Sequence, residues 1–201
     1  SFKSKNEILI KDDKNKEKVI QTEKTVIATG SVAASLPGIE IDEKIIVSST
    51  GALNLDKVPK KMVIVGGGYI GLEMGSVWSR LGTEVQVVEF LDHITPGMDK
   101  EISSEFMKIL KKQGIKFNMQ NKVEEITKNN LGAVVSTTDK DGNKSSFECD
   151  VVLISVGRKP NTKGLNLDVL SVDLDQSKRI KTDKTFKTNV ENIYAIGDVI
   201  E

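Results

Sequence analysis

Residues 62–89 read MVIVGGGYIGLEMGSVWSRLGTEVQVVE, and this stretch decides the fold. Met62 to Val65 form a short apolar run, typical of a strand buried on both faces of a parallel sheet. Gly82 lies where a helix ends, and Val85 to Glu89 form a second strand-like run. Between the two strands, apolar residues recur at helical spacing: Ile70, Met74, Val77, Trp78 and Leu81. The pattern predicts a strand–helix–strand unit with one apolar helix face.

The turn after the first strand carries the pattern G-x-G-x-x-G at residues 66–71, with Gly75 one helical turn later. Gly66 permits a tight turn from strand to helix, and Gly68 lets the backbone approach a pyrophosphate because it has no Cβ. Gly71 and Gly75 allow the helix to pack closely on the sheet. Free N–H groups and the positive dipole end at the helix N-terminus favour phosphate binding. The turn therefore predicts a dinucleotide site.

An acidic residue at the end of the second strand sets the expected cofactor. Glu89 follows Gly71 at close to the spacing typical of dinucleotide-binding units. A carboxylate at this position accepts hydrogen bonds from ribose hydroxyls and repels a 2′-phosphate. Residues 90–94 (FLDHI) contain no Arg or Lys that could bind that phosphate. We therefore expect NAD to be preferred over NADP.

The rest of the chain predicts an α/β fold. A second amphipathic helix is expected from about Asp99 to Gln113, with four residues directed inward: Ile102, Phe106, Ile109 and Leu110. Strand-like segments follow, including a hairpin around residues 139–143 and a buried strand at 151–156. Together these segments predict a Rossmann-like NAD-binding domain, with a parallel sheet, helices and a β-meander.

Composition excludes several other classes of protein. Lys plus Arg and Asp plus Glu both number 29, so a basic surface for nucleic acid is not expected. No apolar run is long enough to span a membrane, and the polar start does not resemble a signal peptide. Cys149 and His93 are the only residues of their types, which excludes an intrachain disulfide and disfavours a metal site. A reducing compartment is expected, with the cytoplasm as first choice and the mitochondrial matrix as the alternative.

Residues 63–82 and 84–92 (EVQVVEFLD) resemble the NAD domain of the dihydrolipoamide dehydrogenase family, within the pyridine nucleotide-disulfide oxidoreductases. The resemblance extends along essentially the whole chain. Residues 25–31 (TVIATGS) and 192–199 (NIYAIGDV) are similar to segments of the flavin domain in the same family, and residues 156–161 (VGRKPN) are similar to the family's G-R-x-P-N turn. The resemblance implies that the NAD-binding domain is flanked by partial pieces of a FAD-binding domain.

That resemblance also implies boundaries and site residues. Residues 1–40 would be a partial FAD-binding segment, residues 41–191 the NAD-binding domain, and residues 192–201 a return strand into the FAD-binding domain. The NAD site would comprise Gly66, Gly67, Gly68, Tyr69, Ile70, Gly71, Leu72 and Glu73, with Glu89 at the adenosine ribose, Val123 beside the adenine and Gly157 near the nicotinamide ribose. The FAD contacts would be Thr29, Gly30, Ser31 and Asp198.

Two residues of this set keep alternative interpretations. Glu73 would reach the nicotinamide amide, as a carboxylate one turn into this helix does in the family, or it is an ordinary exposed helical residue. Tyr69 would cover the nicotinamide pocket, or it has a packing role.

The resemblance further implies an activity for a larger parent protein. The parent would oxidise dihydrolipoamide and pass electrons through a disulfide and FAD to NAD. Its partners would be the lipoyl domains of 2-oxoacid dehydrogenase complexes and a second subunit of a homodimer. The chain has one cysteine, and it lacks a separate N-terminal FAD fingerprint and the family's C-terminal His-Glu pair. We therefore expect no catalytic residue in this chain, and an inactive, colourless fragment that binds NADH weakly.

Other functions compete with this interpretation. Within enzymes the alternative is another pyridine nucleotide-disulfide oxidoreductase, similar to a transhydrogenase or to mercuric reductase. A non-catalytic NAD-binding module is a second alternative, although it would have no use for the flavin-side motifs. A short-chain dehydrogenase is excluded because no Tyr-x-x-x-Lys pair accompanies the glycine pattern.

Overall fold

A computed structural model describes residues 1–201, which form two compact units. One unit comprises residues 33–157, and the other comprises residues 1–32 and 158–201. The strands, in chain order, are β1 (Phe2–Ser4), β2 (Glu7–Lys11), β3 (Glu17–Gln21), β4 (Thr25–Ile27), β5 (Ser31–Ala33), β6 (Ile46–Val47), β7 (Lys61–Val65), β8 (Glu84–Val88), β9 (Lys116–Asn118), β10 (Asn121–Asn129), β11 (Gly132–Asp139), β12 (Lys144–Cys149), β13 (Val151–Ile154), β14 (Arg158–Pro160) and β15 (Ile193–Ala195). The helices are α1 (Ser49–Leu53), α2 (Tyr69–Arg80) and α3 (Lys100–Lys112), with short 3₁₀ segments at Leu167–Leu170 and Gly197–Val199. None of the helices has the length and apolar character needed to cross a bilayer.

The unit of residues 33–157 is built in three layers around a parallel sheet with strand order β6-β13-β7-β8-β9. Side chains of β7 alternate between the two faces. Met62 and Ile64 pack with residues of the three helices, whereas Val63 and Val65 pack against the antiparallel sheet β10-β11-β12. Burial of β7 on both faces explains its continuous apolar run, and the predicted α/β fold is confirmed.

The helices begin and end close to the predicted residues, but their buried faces differ from the prediction. In α2, Leu72 and Trp78 are buried, while Val77 and Leu81 are exposed. In α3 the predicted inward set is wrong at two positions, because Ile102 and Ile109 are each more than half exposed. The buried stripe of α3 instead contains Ser103 and Met107 together with the correctly predicted Phe106 and Leu110. The centre of the contact face is therefore rotated by roughly 65°, less than the about 100° that separates neighbouring residues of a helix.

The other unit contains the antiparallel sheet β1-β2-β3, the parallel pair β4–β15 and the pair β5–β14. Its core joins residues from both ends of the chain, since Phe2 and Ile27 pack in one cluster with Leu167, Ile180 and Ile193. Residues 158–191 therefore group with the chain ends, whereas the family resemblance predicts them in the NAD-binding domain. The apolar residues after residue 165 bury their surface against Phe2 and Ile27, a partner that a linear pattern does not reveal.

Candidate dinucleotide-binding site

The turn between β7 and α2 can be made only by glycine at its first position. Gly66 has a φ of +107°, and its N–H donates to the Val88 carbonyl at 2.9 Å. A Cβ on Gly66 would overlap the backbone oxygen of Ser155 and would lie 2.8 Å from the carbon that carries it, far inside van der Waals contact. The chain can thus turn from β7 into α2 only without a side chain here.

Two further glycines allow α2 to lie directly on the sheet. A Cβ on Gly71 would come within 2.7 Å of the Gly66 oxygen, and one on Gly75 within 2.7 Å of the Ile64 Cδ1 atom. Both positions are buried. The structure therefore shows the close packing of helix on strand that the spacing predicts.

Gly68 differs from these glycines because nothing within the protein requires it to lack a side chain. Its φ of −73° suits any residue, and a Cβ built on it meets no atom within 4 Å. Gly68 is the N-cap of α2 and makes no side-chain capping bond. Its Cβ position is open space beside the helix N-terminus, where the dipole attracts anions. The absence of a side chain at this position leaves room for a ligand to approach the backbone from solvent.

The carboxylate of Glu89 contacts the glycine turn directly. Glu89 is 8% exposed; its Oε2 atom accepts the Gly67 N–H at 2.5 Å, and its Oε1 atom accepts the Leu91 N–H at 2.8 Å. A carboxylate has about four acceptor positions, so each oxygen retains one for a ribose hydroxyl. The structure brings Glu89 and the turn together at the carboxyl ends of β7 and β8. The bond to Gly67 was not predicted, because spacing along the chain carries no information on side-chain direction.

A second polar cluster lies in the unit formed by the chain ends. The Ser31 hydroxyl donates to Asp198 Oδ2 at 2.7 Å and accepts from Arg158 Nε at 2.6 Å. Arg158 Nη2 also donates to the Ser31 carbonyl at 2.7 Å. The Thr29 hydroxyl donates to the Asn161 carbonyl at 2.7 Å, and the Asn161 N–H donates to the Gly30 carbonyl at 2.9 Å.

Three motifs that are far apart in the sequence thus meet in this cluster. Thr29, Gly30, Ser31 and Asp198 are the residues that the family resemblance predicts as FAD contacts, whereas Arg158 is a member of the cluster that was not predicted. The sequence could have indicated this residue, because Arg158 directly follows Gly157 within the VGRKPN motif.

The sequence model of the pyridine nucleotide-disulphide oxidoreductase family matches residues 2–201. The chain belongs to this family. It is 49% identical to the mitochondrial dihydrolipoyl dehydrogenase of Pisum sativum over 99% of its own length and 40% of that protein. It is 49% identical to the mitochondrial dihydrolipoyl dehydrogenase of Canis lupus familiaris (98% of the chain, 39% of the relative), and 48% identical to the leghemoglobin reductase of Glycine max (98% and 38%). The chain therefore spans about 40% of the length of these relatives.

Solved structures agree with this family membership. The Cu(II) complex of the HOCl-induced flavoprotein disulfide reductase RclA from Escherichia coli has a TM-score of 0.87, at 28% identity over 98% of this chain and 44% of that chain. LpdA from Mycobacterium tuberculosis has a TM-score of 0.85 at 24% identity over 96% of this chain and 41% of that chain, which shows the fold alone.

The remaining residues of the predicted nucleotide site differ in how far they are exposed. The Leu72 side chain is 1% exposed in the core, and its N–H donates to the Gly68 carbonyl, so neither its side chain nor its N–H is free to contact a ligand. Tyr69 is 65% exposed on the first turn of α2, and Glu73 is exposed one turn later on the same face. The Tyr69 side chain therefore does not pack in the core of this unit. Ile70 and Val123 are partly buried, and Gly157 is exposed after β13.

Cys149 is not placed for redox chemistry. The thiol is buried at 6% exposure and directs Sγ to the Ala133 carbonyl at 3.6 Å. Burial raises the pKa of this thiol to about 11, so it stays protonated at neutral pH.

His93 pairs only with the neighbouring Asp92 at 2.6 Å, and no cluster of potential metal ligands occurs.

We expect Cys149 in the folded protein to resist iodoacetamide at pH 8 and to react fully in urea. The native thiol binds its proton more tightly than the unfolded one, so its contribution to stability is complete below about pH 9 and is lost as pH rises towards about 11. Mass spectrometry of the alkylated protein provides the measurement. Rapid native alkylation at pH 8 would show that the thiol is accessible and ionised.

Proposed function

We propose that this chain is the NAD-binding portion of an FAD-dependent dihydrolipoamide dehydrogenase. The observation that carries the proposal is Gly68. Among the glycines of the turn, Gly66 and Gly71 are required by packing, whereas the space beside Gly68 is open. A ligand that occupies this space and contacts the backbone would explain why the residue is glycine. A dinucleotide diphosphate bound at the helix N-terminus is such a ligand.

The residues around the turn would divide the binding of NAD between them. The N–H groups at the start of α2 would hold the diphosphate, and Glu89 would accept hydrogen bonds from the adenosine ribose. Val123 would pack beside the adenine and Gly157 would approach the nicotinamide ribose. Tyr69 and Glu73 share one exposed face of α2, which would position the nicotinamide amide. When bound, NAD supplies the acceptor for a hydride from reduced flavin.

The second polar cluster fits part of a flavin site. Ser31 and Asp198 present a hydroxyl and a carboxylate joined by a 2.7 Å hydrogen bond, a donor–acceptor set suited to a polyhydroxylated chain such as ribityl. Thr29 and Gly30 lie beside them in the same turn. In this proposal these residues supply only part of the FAD contacts, and the rest of the protein supplies the others.

The activity of the whole protein is proposed from the names of its relatives. It would oxidise dihydrolipoamide, delivered on lipoyl domains of 2-oxoacid dehydrogenase complexes, and it would act as a homodimer. The reactive disulfide needs two cysteines, and Cys149 is the single cysteine here and is buried. The disulfide would therefore be formed by residues that this sequence does not include, and we propose that the chain alone does not turn over.

We propose the mitochondrial matrix for the whole protein. The pea and dog relatives are named as mitochondrial, and the cytoplasmic prediction has no such support. Fractionation of cells that express the full-length protein would test the location.

An assay of the full-length protein separates the proposed activity from the alternatives. We expect NADH formation with dihydrolipoamide and NAD. Reduction of Hg(II), or hydride exchange between NADPH and NAD without thiol oxidation, would instead favour a mercuric reductase-like or transhydrogenase-like enzyme. NAD binding without any of these activities would favour a binding module.

Cofactor preference is tested on the chain itself by calorimetric titration. We expect NADH to bind about 10- to 100-fold more tightly than NADPH, because hydrogen bonds to a charged group contribute about 1.5–3 kcal/mol and the 2′-phosphate is repelled. Glu89→Gln should lower this ratio by weakening NADH binding more than NADPH binding. Equal affinities in the unmodified chain would refute Glu89 as the selecting acid.

A further inference from the structure

Both polar backbone groups of Gly67 are held by the segment that follows β8. The Gly67 N–H donates to Glu89, and the Gly67 carbonyl accepts the Thr95 N–H at 2.8 Å. The Ile94 side chain closes the third side, since a Cβ on Gly67 would lie 3.2 Å from Ile94 Cγ2. Gly67 is therefore clamped by three residues of the 89–95 segment.

Thr95 makes its bond from a strained conformation. Its φ is +50°, a region that β-branched residues avoid, and Pro96 follows, which normally directs the preceding residue to an extended conformation. A β-turn comes next, in which the Met98 N–H donates to the Thr95 carbonyl at 3.1 Å across Pro96 and Gly97 (φ +91°). Strain of this kind persists only where surrounding contacts hold the residue in place.

The contact that holds Thr95 is a buried hydroxyl pair. Thr95 Oγ1 lies 2.7 Å from Ser103 Oγ, and both residues are at most 3% exposed. Ser103 belongs to the first turn of α3, whose N-cap Asp99 accepts from the Glu101 and Ile102 N–H groups. The side chain of Thr95 therefore ties the segment to a capped helix.

The consequence for the turn follows from peptide planarity. In a trans peptide the C=O and the next N–H point in opposite directions, and the chain contains no cis peptide. With the Gly67 carbonyl directed at Thr95, the Gly68 N–H points away from Thr95. We infer that Thr95 is a positioning residue that, anchored by Ser103, orients the Gly67–Gly68 peptide so that the Gly68 N–H faces the diphosphate. The inference rests on the proposed function.

The test compares NADH affinity of Thr95 variants of this chain by calorimetry. Thr95→Gly relieves the strain and keeps the N–H but removes the hydroxyl anchor, and Ser103→Ala removes the other half of the pair. We expect both to weaken NADH binding about tenfold, the loss of roughly one charge-assisted hydrogen bond. Thr95→Ser keeps the hydroxyl and should bind NADH as the unmodified chain does.

A matched control removes a buried hydroxyl bond elsewhere. Thr83 is 4% exposed and its hydroxyl donates to the Pro59 carbonyl at 2.8 Å, at the opposite end of β8. Thr83→Val should lower the melting temperature without changing NADH affinity, which separates positioning from stability. As a readout in the free protein, the Gly68 amide resonance should shift in Thr95→Gly and stay in place in Thr83→Val.

The outcomes distinguish the two proposals. If the unmodified chain binds NADH and Thr95→Gly binds it equally well with an unshifted Gly68 resonance, the positioning role is overturned and the proposed function stands. If the unmodified chain binds no NADH at millimolar concentration, the proposed function fails and this inference fails with it.

Discussion

Gly68→Ala is expected to abolish measurable NADH binding while leaving the fold intact. The new methyl group meets no protein atom within 4 Å, so it would occupy the space proposed for the diphosphate. Losing two charge-assisted hydrogen bonds would weaken binding by about 100-fold or more. Stability should change by less than about 1 kcal/mol, because the loss from a poorer N-cap is offset by the smaller conformational entropy of the unfolded chain. Titration of both proteins with NADH, together with urea unfolding, measures the two effects separately.

The control for this prediction is Gly75→Ala in the same helix. Its methyl group would press on Ile64 Cδ1, the end of a side chain, on the sheet side of α2. We expect NADH affinity to remain within about threefold, a difference of roughly 0.6 kcal/mol. Unchanged NADH binding by Gly68→Ala would show that no ligand uses the space beside this residue, and the proposed site would be lost.

Gly66→Ala is expected to lower stability more than any other glycine-to-alanine substitution in the turn. Alanine at this position would be strained by the φ of +107°, and its Cβ would also overlap the Ser155 carbonyl. That carbonyl belongs to the backbone and cannot easily move away. Left-handed strain of about 1–2 kcal/mol and overpacking of about 1–3 kcal/mol predict a total near 3 kcal/mol. At about 2–4 °C per kcal/mol for a chain of this size, the melting temperature should fall by roughly 6–12 °C.

Trp78 provides a local probe for this measurement. It is the single tryptophan of the chain and is buried between α2 and the sheet. Its fluorescence therefore reports unfolding of the unit of residues 33–157 without a signal from the other unit. Gly75→Ala again serves for comparison, because its contact is a flexible side chain and alanine favours a helix. If both variants lost the same amount of stability, the turn at Gly66 would be able to accommodate a side chain, which contradicts the prediction.

Local pattern predicted α2 and α3 well but not their buried faces. The spacing of apolar residues is a property of the helix alone, so the bounds of α2 at Tyr69–Arg80 lie close to those expected. Which side of the helix faces the sheet depends on neighbours far along the chain. Ile102 and Ile109 are apolar and exposed, while the polar Ser103 is buried because Thr95 supplies its hydrogen-bond partner.

The sequence alone determined the α/β class, the strand–turn–helix with its glycines, and the acid at the end of β8, because each depends on residues close together in the chain. Only the tertiary structure decided that Leu72 belongs to the core, that residues 158–191 group with the chain ends, and that Glu89 and Thr95 hold Gly67 from both sides. The physical reason is that backbone propensity and periodicity are local quantities. Hydrogen-bond partners and packing faces, in contrast, depend on which distant segments the folded chain brings within a few ångströms.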